Sequence, residues 1–291
     1  MNTSHRRPAG WIRDALILTA ALAVMGAAGY AVARLVEKGR PRRAAFNLEM
    51  ERALADAVEA TIRAGGEVVE EPAVIDLTAK MQARLEDGLV RMSAEAVDGM
   101  RRPADGNLPE VRVLIVDSST VNAVAFPGNL VVLYSGLVKA MSGPEELAGV
   151  LAHEIGHCVA NDARNALIRE VGLSVLLGAS GAGSAGELAS EVIRGAVRIR
   201  YGRRAEERAD EFAVSLLASS DLDPTAYSSA LRALAETADD APEWARYVDL
   251  HPPLDSRITL AEKRADGAVR GDELDVDWDE VLAALPSPLD P

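Results

Sequence analysis

One stretch constrains this chain more than any other: SGPEELAGVLAHEIGHCVAND, residues 142 to 162, has the signals of a helix that carries two histidines and a glutamate at fixed offsets. Pro144 suits the first helical position, and Gly143 or Ser142 can cap it. Glu145 and Glu146 stand where the helix dipole favours anions. His153 and His157 are four apart, so both imidazoles leave one face a single turn apart and can reach one ion. Glu154, one position on, is turned by about 100° and reaches a ligand beside that ion. The spacing predicts a zinc site, one ion per chain, with Glu154 as the general base on a water.

Around this helix Gly149, Gly156 and Ala160 fall on the histidine side, whereas Leu147, Leu151, Ile155 and Cys158 fall opposite. The ligand face is therefore expected to leave room for an ion and a substrate, and Cys158 is expected to be a small core residue rather than a ligand. As the sole cysteine it can form no intrachain disulfide.

Catalytic zinc takes three protein groups, so one more donor is needed. No His-x-x-Gly-x-x-His extension follows His157, and the other histidines are His5 and His251. The helical stretch YGRRAEERADEF, residues 201 to 212, offers Glu206 and Asp210 on one face. Taken alone, that stretch reads more readily as a solvated helix laced with ion pairs than as a source of a ligand.

Residues 15 to 33 run without a charge, close to the length that crosses a bilayer, and basic residues flank both ends. An uncleaved membrane anchor is expected; the alternative is a signal segment cut after Ala33, in the small-x-small run Ala31-Val32-Ala33. Charge counting slightly favours a cytoplasmic body. Eight of the 31 basic residues but only two of the 45 acidic ones lie in residues 1 to 43, so the rest is strongly acidic and nucleic acid is excluded as a natural partner.

Periodicity divides the remainder. Helical patterns over 46 to 64 (Leu48, Leu54, Val58, Ile62) and 73 to 97 (Ile75, Leu77, Met81, Leu85, Leu89) predict a collar. Short β-branched runs at 111 to 119 and 130 to 134 predict strands, joined through a turn-rich NAVAFPGN as a loop or hairpin. The expected fold is α+β and mainly helical: a zincin-like metallopeptidase domain with a small β-sheet edge before the metal helix, plus an N-terminal transmembrane helix. Its parts are 1–43 anchor or signal with a basic linker, 44–100 collar, 101–266 peptidase domain, and 267–291 an acidic tail, solvated or loosely docked. The glycine- and serine-rich stretch 171 to 189 is expected to be a helical hairpin.

HEIGH, then Glu206-x-x-Ala209-Asp210, then HPPLDSRI from His251, preceded by VNAVAFPGNLVVLYSGLV, resembles the CAAX prenyl protease and HtpX-like family of zinc metallopeptidases over about residues 110 to 265. The periplasmic BepA-like and mitochondrial-inner-membrane quality-control branches are the nearest in layout. The resemblance implies that Glu206 is the third ligand and that Asp210 orients a metal-bound histidine. It further implies that His251 gates the metal or, with Asn122 and Ala123, steadies an oxyanion. It implies an extracytoplasmic, single-pass endopeptidase of envelope quality control that cleaves unfolded or extended polypeptides, docked along the edge offered by residues 130 to 134. Two departures stand out: Asn161-Asp162 where relatives often have a histidine, and Asn129 where they have a second glycine. The competing function is a membrane-tethered chaperone or assembly factor with a latent or structural zinc.

Overall fold

The computed structural model describes residues 48–92, 110–172, 185–196, 198–237, 247, 251 and 254–286. The uncharged run at 15 to 33 lies outside them. Among the described residues no helix is long and apolar enough to cross a membrane. Residues 48 to 291 form one compact unit.

Helix α1, Leu48–Gly65, buries Leu54, Ala55, Val58 and Ile62, the three- and four-residue spacing that makes an apolar stripe. Helix α2, Pro72–Arg91, begins on its proline and buries Val74, Leu77, Met81, Leu85 and Leu89. Its core face therefore passes through Val74 rather than Ile75, which is 53% exposed. The helix stops at Arg91, short of the expected 97, with Met92 in an extended conformation.

Three strands follow: β1, Arg112–Val116; β2, Ala123–Phe126; and β3, Leu130–Tyr134. The spatial order is β1-β3-β2, with β3 parallel to β1 and antiparallel to β2. NAVAFPGN thus supplies a strand and a hairpin turn. Gly128 and Asn129 both take positive φ there, at 83° and 60°. Asparagine tolerates that left-handed region better than any other residue with a side chain apart from its close kin, so the missing second glycine costs the turn little. A Cβ on Gly128 would sit 2.5 Å from the Glu51 carbonyl oxygen, so α1 lies directly on the turn.

The register overturns one expectation. Residues 130 to 134 are paired along both sides and offer no edge. β1 is bonded on its outer side by residues 67 to 69 through Val69 N–H to Ile115 O and Asp117 N–H to Glu67 O. Among the described residues β2 pairs with a strand on one side only, and all four of its residues are buried.

A short helix α3, Ser135–Ala140, leads into the central helix α4, Pro144–Val159. Gly143 is its N-cap, and Glu146 Oε2 accepts the Ser142 N–H at 2.7 Å. Leu147, Val150, Leu151 and Ile155 of α4 are fully buried; each such side chain contributes about 1.5–3 kcal/mol. Helices α5, Asp162–Val171, and α6, Ala185–Ala196, flank residues 173–184, which lie outside the described residues. They are followed by α7, Arg203–Ser219, α8, Thr225–Thr237, and α9, Leu254–Ala265, of which α7 and α8 pack on α4.

The acidic C-terminal stretch is docked. Glu145 Oε1 accepts the Leu274 N–H at 2.7 Å. Helix α10, Trp278–Ala284, is capped by the Asp277 carboxylate and buries Val281 against the core.

Candidate metal centre

The centre is assembled from α4, α7 and the residues just before α9. His153 and His157 leave one face of α4 with their Nε2 atoms 3.1 Å apart and their rings nearly perpendicular. Glu206, in the first turn of α7, brings Oε2 to 3.6 Å from His153 Nε2 and Oε1 to 3.5 Å from His157 Nε2. His251 completes the group: its Nδ1 is 3.4 Å from His153 Nε2 and 3.1 Å from each Glu206 oxygen. All four side chains are buried. The expected donors therefore come together, joined by His251 as a fourth.

The spacing of these atoms tests the fit of an ion. Zinc bonds nitrogen and oxygen at about 2.0–2.2 Å, and the edge of a tetrahedron of that size is about 3.3 Å. Five of the separations, taken to one or other Glu206 oxygen, are 3.1 to 3.6 Å, and all four donors lie within 4.8 Å of one another. The ring protons agree. His153 Nδ1 lies 3.1 Å from the Asp210 carboxylate and 2.8 Å from Tyr227 Oη, and His157 Nδ1 lies 3.4 Å from Asp162. With Nδ1–H turned to carboxylates, both Nε2 atoms face inward 3.1 Å apart, where they can share a proton or a metal ion.

The two imidazoles are shifted in opposite directions. Burial, with the Arg257 charge beside it, lowers His153 to about 4 and keeps it neutral. Burial opposes charge on His157 too, but the Asp162 and Glu206 carboxylates prevail and raise it to about 9. Burial pushes Glu206 and Asp210 up, yet the surrounding imidazoles, and for Asp210 the Arg257 guanidinium as well, hold both well below the usual carboxylate range.

Glu154 stands beside the group. Its Oε1 accepts from Tyr247 Oη at 3.2 Å, and its Oε2 is buried with no hydrogen-bond partner. An acceptor left bare in the interior is costly and marks a place for a donor such as water. Tyr247 stacks on His251 with centroids 4.3 Å apart, Tyr201 stacks on His157 at 3.8 Å, and burial keeps both phenols protonated. Asn122 and Ala123 lie at the start of β2. Ala123 N–H bonds Asn122 Oδ1 at 2.8 Å, so an oxyanion role for that amide requires the carboxamide to turn away.

The small residues on the ligand side of α4 serve packing. A Cβ on Gly149 would stand 2.9 Å from Tyr227 Cα, and one on Gly156 would stand 3.1 Å from Ala209 Cα. They admit α8 and α7, which carry Tyr227 and Glu206, while Gly156 and Ala160 also line an open cavity with Arg208 and Phe212. Cys158 packs half-buried against the core.

Sequence reasoning missed Tyr201 and Tyr247, and three further residues that hold the donors. Tyr227 donates to Asp210 at 2.5 Å, Asp162 approaches His157, and Arg257 donates to Asp210 and forms an ion pair with Glu206 at 3.0 Å. Only Arg257 had a signal, its place in HPPLDSRI, and Asp162 stood where the histidine of relatives was missing.

Residues 83 to 265 match the model of Peptidase family M48. Over 165 residues the chain is 32% identical to the beta-barrel assembly-enhancing protease of Yersinia pestis, covering 52% of this chain and 34% of that protein. It is 27% identical over 148 residues to the mitochondrial metalloendopeptidase OMA1 of Arabidopsis thaliana, covering 51% and 30%. With the metalloprotease YcaL of Escherichia coli K12 it shares 29% over 153 residues, covering 48% and 56%. The matched part thus spans about a third of the first two relatives.

Proposed function

We propose, from the premise that this chain belongs to peptidase family M48, that it is a zinc-dependent endopeptidase whose ion is held by His153, His157 and Glu206. The observation that carries the reading is the cluster of four buried donors, all within 4.8 Å of one another, with the bare Glu154 oxygen beside it. Zinc there would acidify a water and polarise a peptide carbonyl. Glu154 would take the proton from the attacking water at its free Oε2 and return it to the leaving amine. Asp210 fixes the His153 tautomer, and Asp162 does the same for His157.

The substrate is an unfolded or extended polypeptide added along β2, the edge nearest α4, with backbone hydrogen bonds supplying most of the affinity. A role in envelope protein quality control is in keeping with a relative named a beta-barrel assembly-enhancing protease. The body would lie outside the cytoplasm, tethered by residues 15 to 33.

A second reading has its own observation. Four protein donors make a closed centre, the pattern of structural rather than catalytic zinc. The Tyr247 N–H also bonds the Val121 carbonyl at 3.0 Å, beside the start of the β2 edge. We reconcile the two by assigning this arrangement to a latent state in which His251 fills the position that a water needs. The alternative of a tethered chaperone would keep the centre closed throughout. Glu154→Gln separates them: it should retain one zinc per chain and lose casein cleavage. Cleavage undiminished by that substitution would sink the general-base assignment.

A further inference from the structure

Three phenols surround the centre, and two of them are committed to its framework. Tyr227 Oη donates to Asp210 and accepts from Arg257, and Tyr247 Oη donates to Glu154. Tyr201 is placed differently. It precedes Gly202, the N-cap of α7, whose carbonyl accepts the Ala205 N–H at 2.7 Å and the Glu206 N–H at 3.2 Å. The turn that aims Glu206 at the histidines therefore also fixes Tyr201. Its ring lies nearly parallel to the His157 imidazole, with 14° between the planes, and its centroid is 5.4 Å from that of His251. Its hydroxyl makes no hydrogen bond among the described residues, yet it is not one of the buried side-chain atoms left without a partner, so it opens to solvent. The carboxylate that acts on it most strongly is that of Glu154.

We propose that Tyr201 is a further catalytic residue, whose phenol donates a hydrogen bond to the scissile carbonyl oxygen as that oxygen gains charge. The proposal rests on the zinc-endopeptidase reading above. A hydroxyl with an unused hydrogen stands beside the general base, and beside the imidazole that fills the position a water needs. That is where the reacting carbonyl must sit. When the water oxygen adds to the carbonyl carbon, the C=O π pair moves onto oxygen and the water proton passes to Glu154. The phenol proton stays on Tyr201 throughout. A neutral O–H donor binds the resulting oxyanion more strongly than the carbonyl it came from, so it lowers the barrier without tightening substrate binding. A role confined to stacking on His157 needs only the ring.

Tyr201→Phe keeps the ring and removes the hydroxyl. Since that hydroxyl has no partner in the fold, the variant should melt with the wild type and keep the same zinc content. On the full zinc-loaded chain, kcat for a casein-derived peptide should fall by about a hundredfold, the scale of one lost oxyanion donor, with KM little changed. The second readout is binding and needs no turnover. A phosphinic peptide, whose tetrahedral phosphinate carries the charge of the intermediate, should bind Tyr201→Phe more weakly by about the same factor in titration calorimetry. The uncharged casein peptide should bind Glu154→Gln and Glu154→Gln/Tyr201→Phe alike. Unchanged kcat and unchanged phosphinate affinity overturn the proposal and leave Tyr201 a stacking residue. A raised KM with kcat intact overturns it too, because the hydroxyl then binds substrate and transition state equally. Loss of zinc from Tyr201→Phe overturns it equally, since the hydroxyl is then part of how the metal is held. A wild type without zinc, or cleavage untouched by Glu154→Gln, overturns the parent reading and this proposal with it, and the zinc content and the Glu154 variant make that failure distinct.

Discussion

Replacing Asp210 by asparagine tests the charge arrangement behind the centre without touching a metal donor. Asp210 is fully buried and accepts from Tyr227 at 2.5 Å, from the Arg257 guanidinium at 2.8 to 3.2 Å, and faces His153 Nδ1 at 3.1 Å. Asp210→Asn keeps the shape but removes the charge and one acceptor, leaving Arg257 to Glu206 alone among the carboxylates it touches. Breaking a buried pair in this way costs about 3–5 kcal/mol. At about 2–4 °C per kcal/mol for a domain of this size, the melting temperature of the chelated protein should fall by about 6–20 °C. The pH dependence has a definite sign. The folded-state pKa of Asp210 lies below its unfolded value, so its stabilisation is present above the unfolded value of about 3.9 and is lost as pH falls through the lower folded one. Melting curves of wild type and variant should therefore stay a constant distance apart from pH 8 to pH 5 and converge only in stronger acid. A loss under about 1 kcal/mol, or a gap that closes between pH 7 and pH 5, would refute the assignment of Asp210 as the anionic partner of Arg257.

Two further substitutions probe the packing and the gate. Gly149→Ala gains about 1 kcal/mol of helix propensity but forces a methyl within 2.9 Å of Tyr227 Cα, at about 1–3 kcal/mol of strain. The net stability loss should be small, while zinc affinity measured by chelator competition falls as Tyr227 is pushed off His153; unchanged affinity would show that α8 yields elsewhere. His251→Ala, which opens one position of the four-donor group, should keep stoichiometric zinc and raise casein cleavage severalfold, and loss of both zinc and cleavage would make His251 an essential ligand instead of a gate.

The sequence disclosed what is local and left obscure what depends on tertiary approach. The helix carrying His153 and His157 was legible because its cap, its dipole-matched acids and its four-residue spacing lie within one stretch. Glu206 was ambiguous on local grounds: Arg203, Arg204, Glu207 and Arg208 make its helix look solvated, and only the family pattern singled it out. The structure explains the ambiguity, since Glu206, Ala209, Asp210 and Ala213 form a buried face and the charged neighbours lie on the exposed one. Strand order was illegible for another reason. Two β-branched runs announce two strands but not that β2, formed by Ala123–Phe126, takes the edge and leaves β3 in the middle.

The glycines of α4 carry the same lesson into function. A small residue beside a ligand reads as free space in a projection of one helix, yet space beside a buried helix is claimed by its neighbours. At Gly149 and Gly156 the claimants are α8 and α7, the elements that deliver Tyr227 and Glu206. Close approach of these helices is what lets carboxylates and phenols of ordinary length reach imidazoles at the protein's centre. Those glycines are thus part of how the site is assembled, and substitutions there should act on metal affinity before they act on substrate binding.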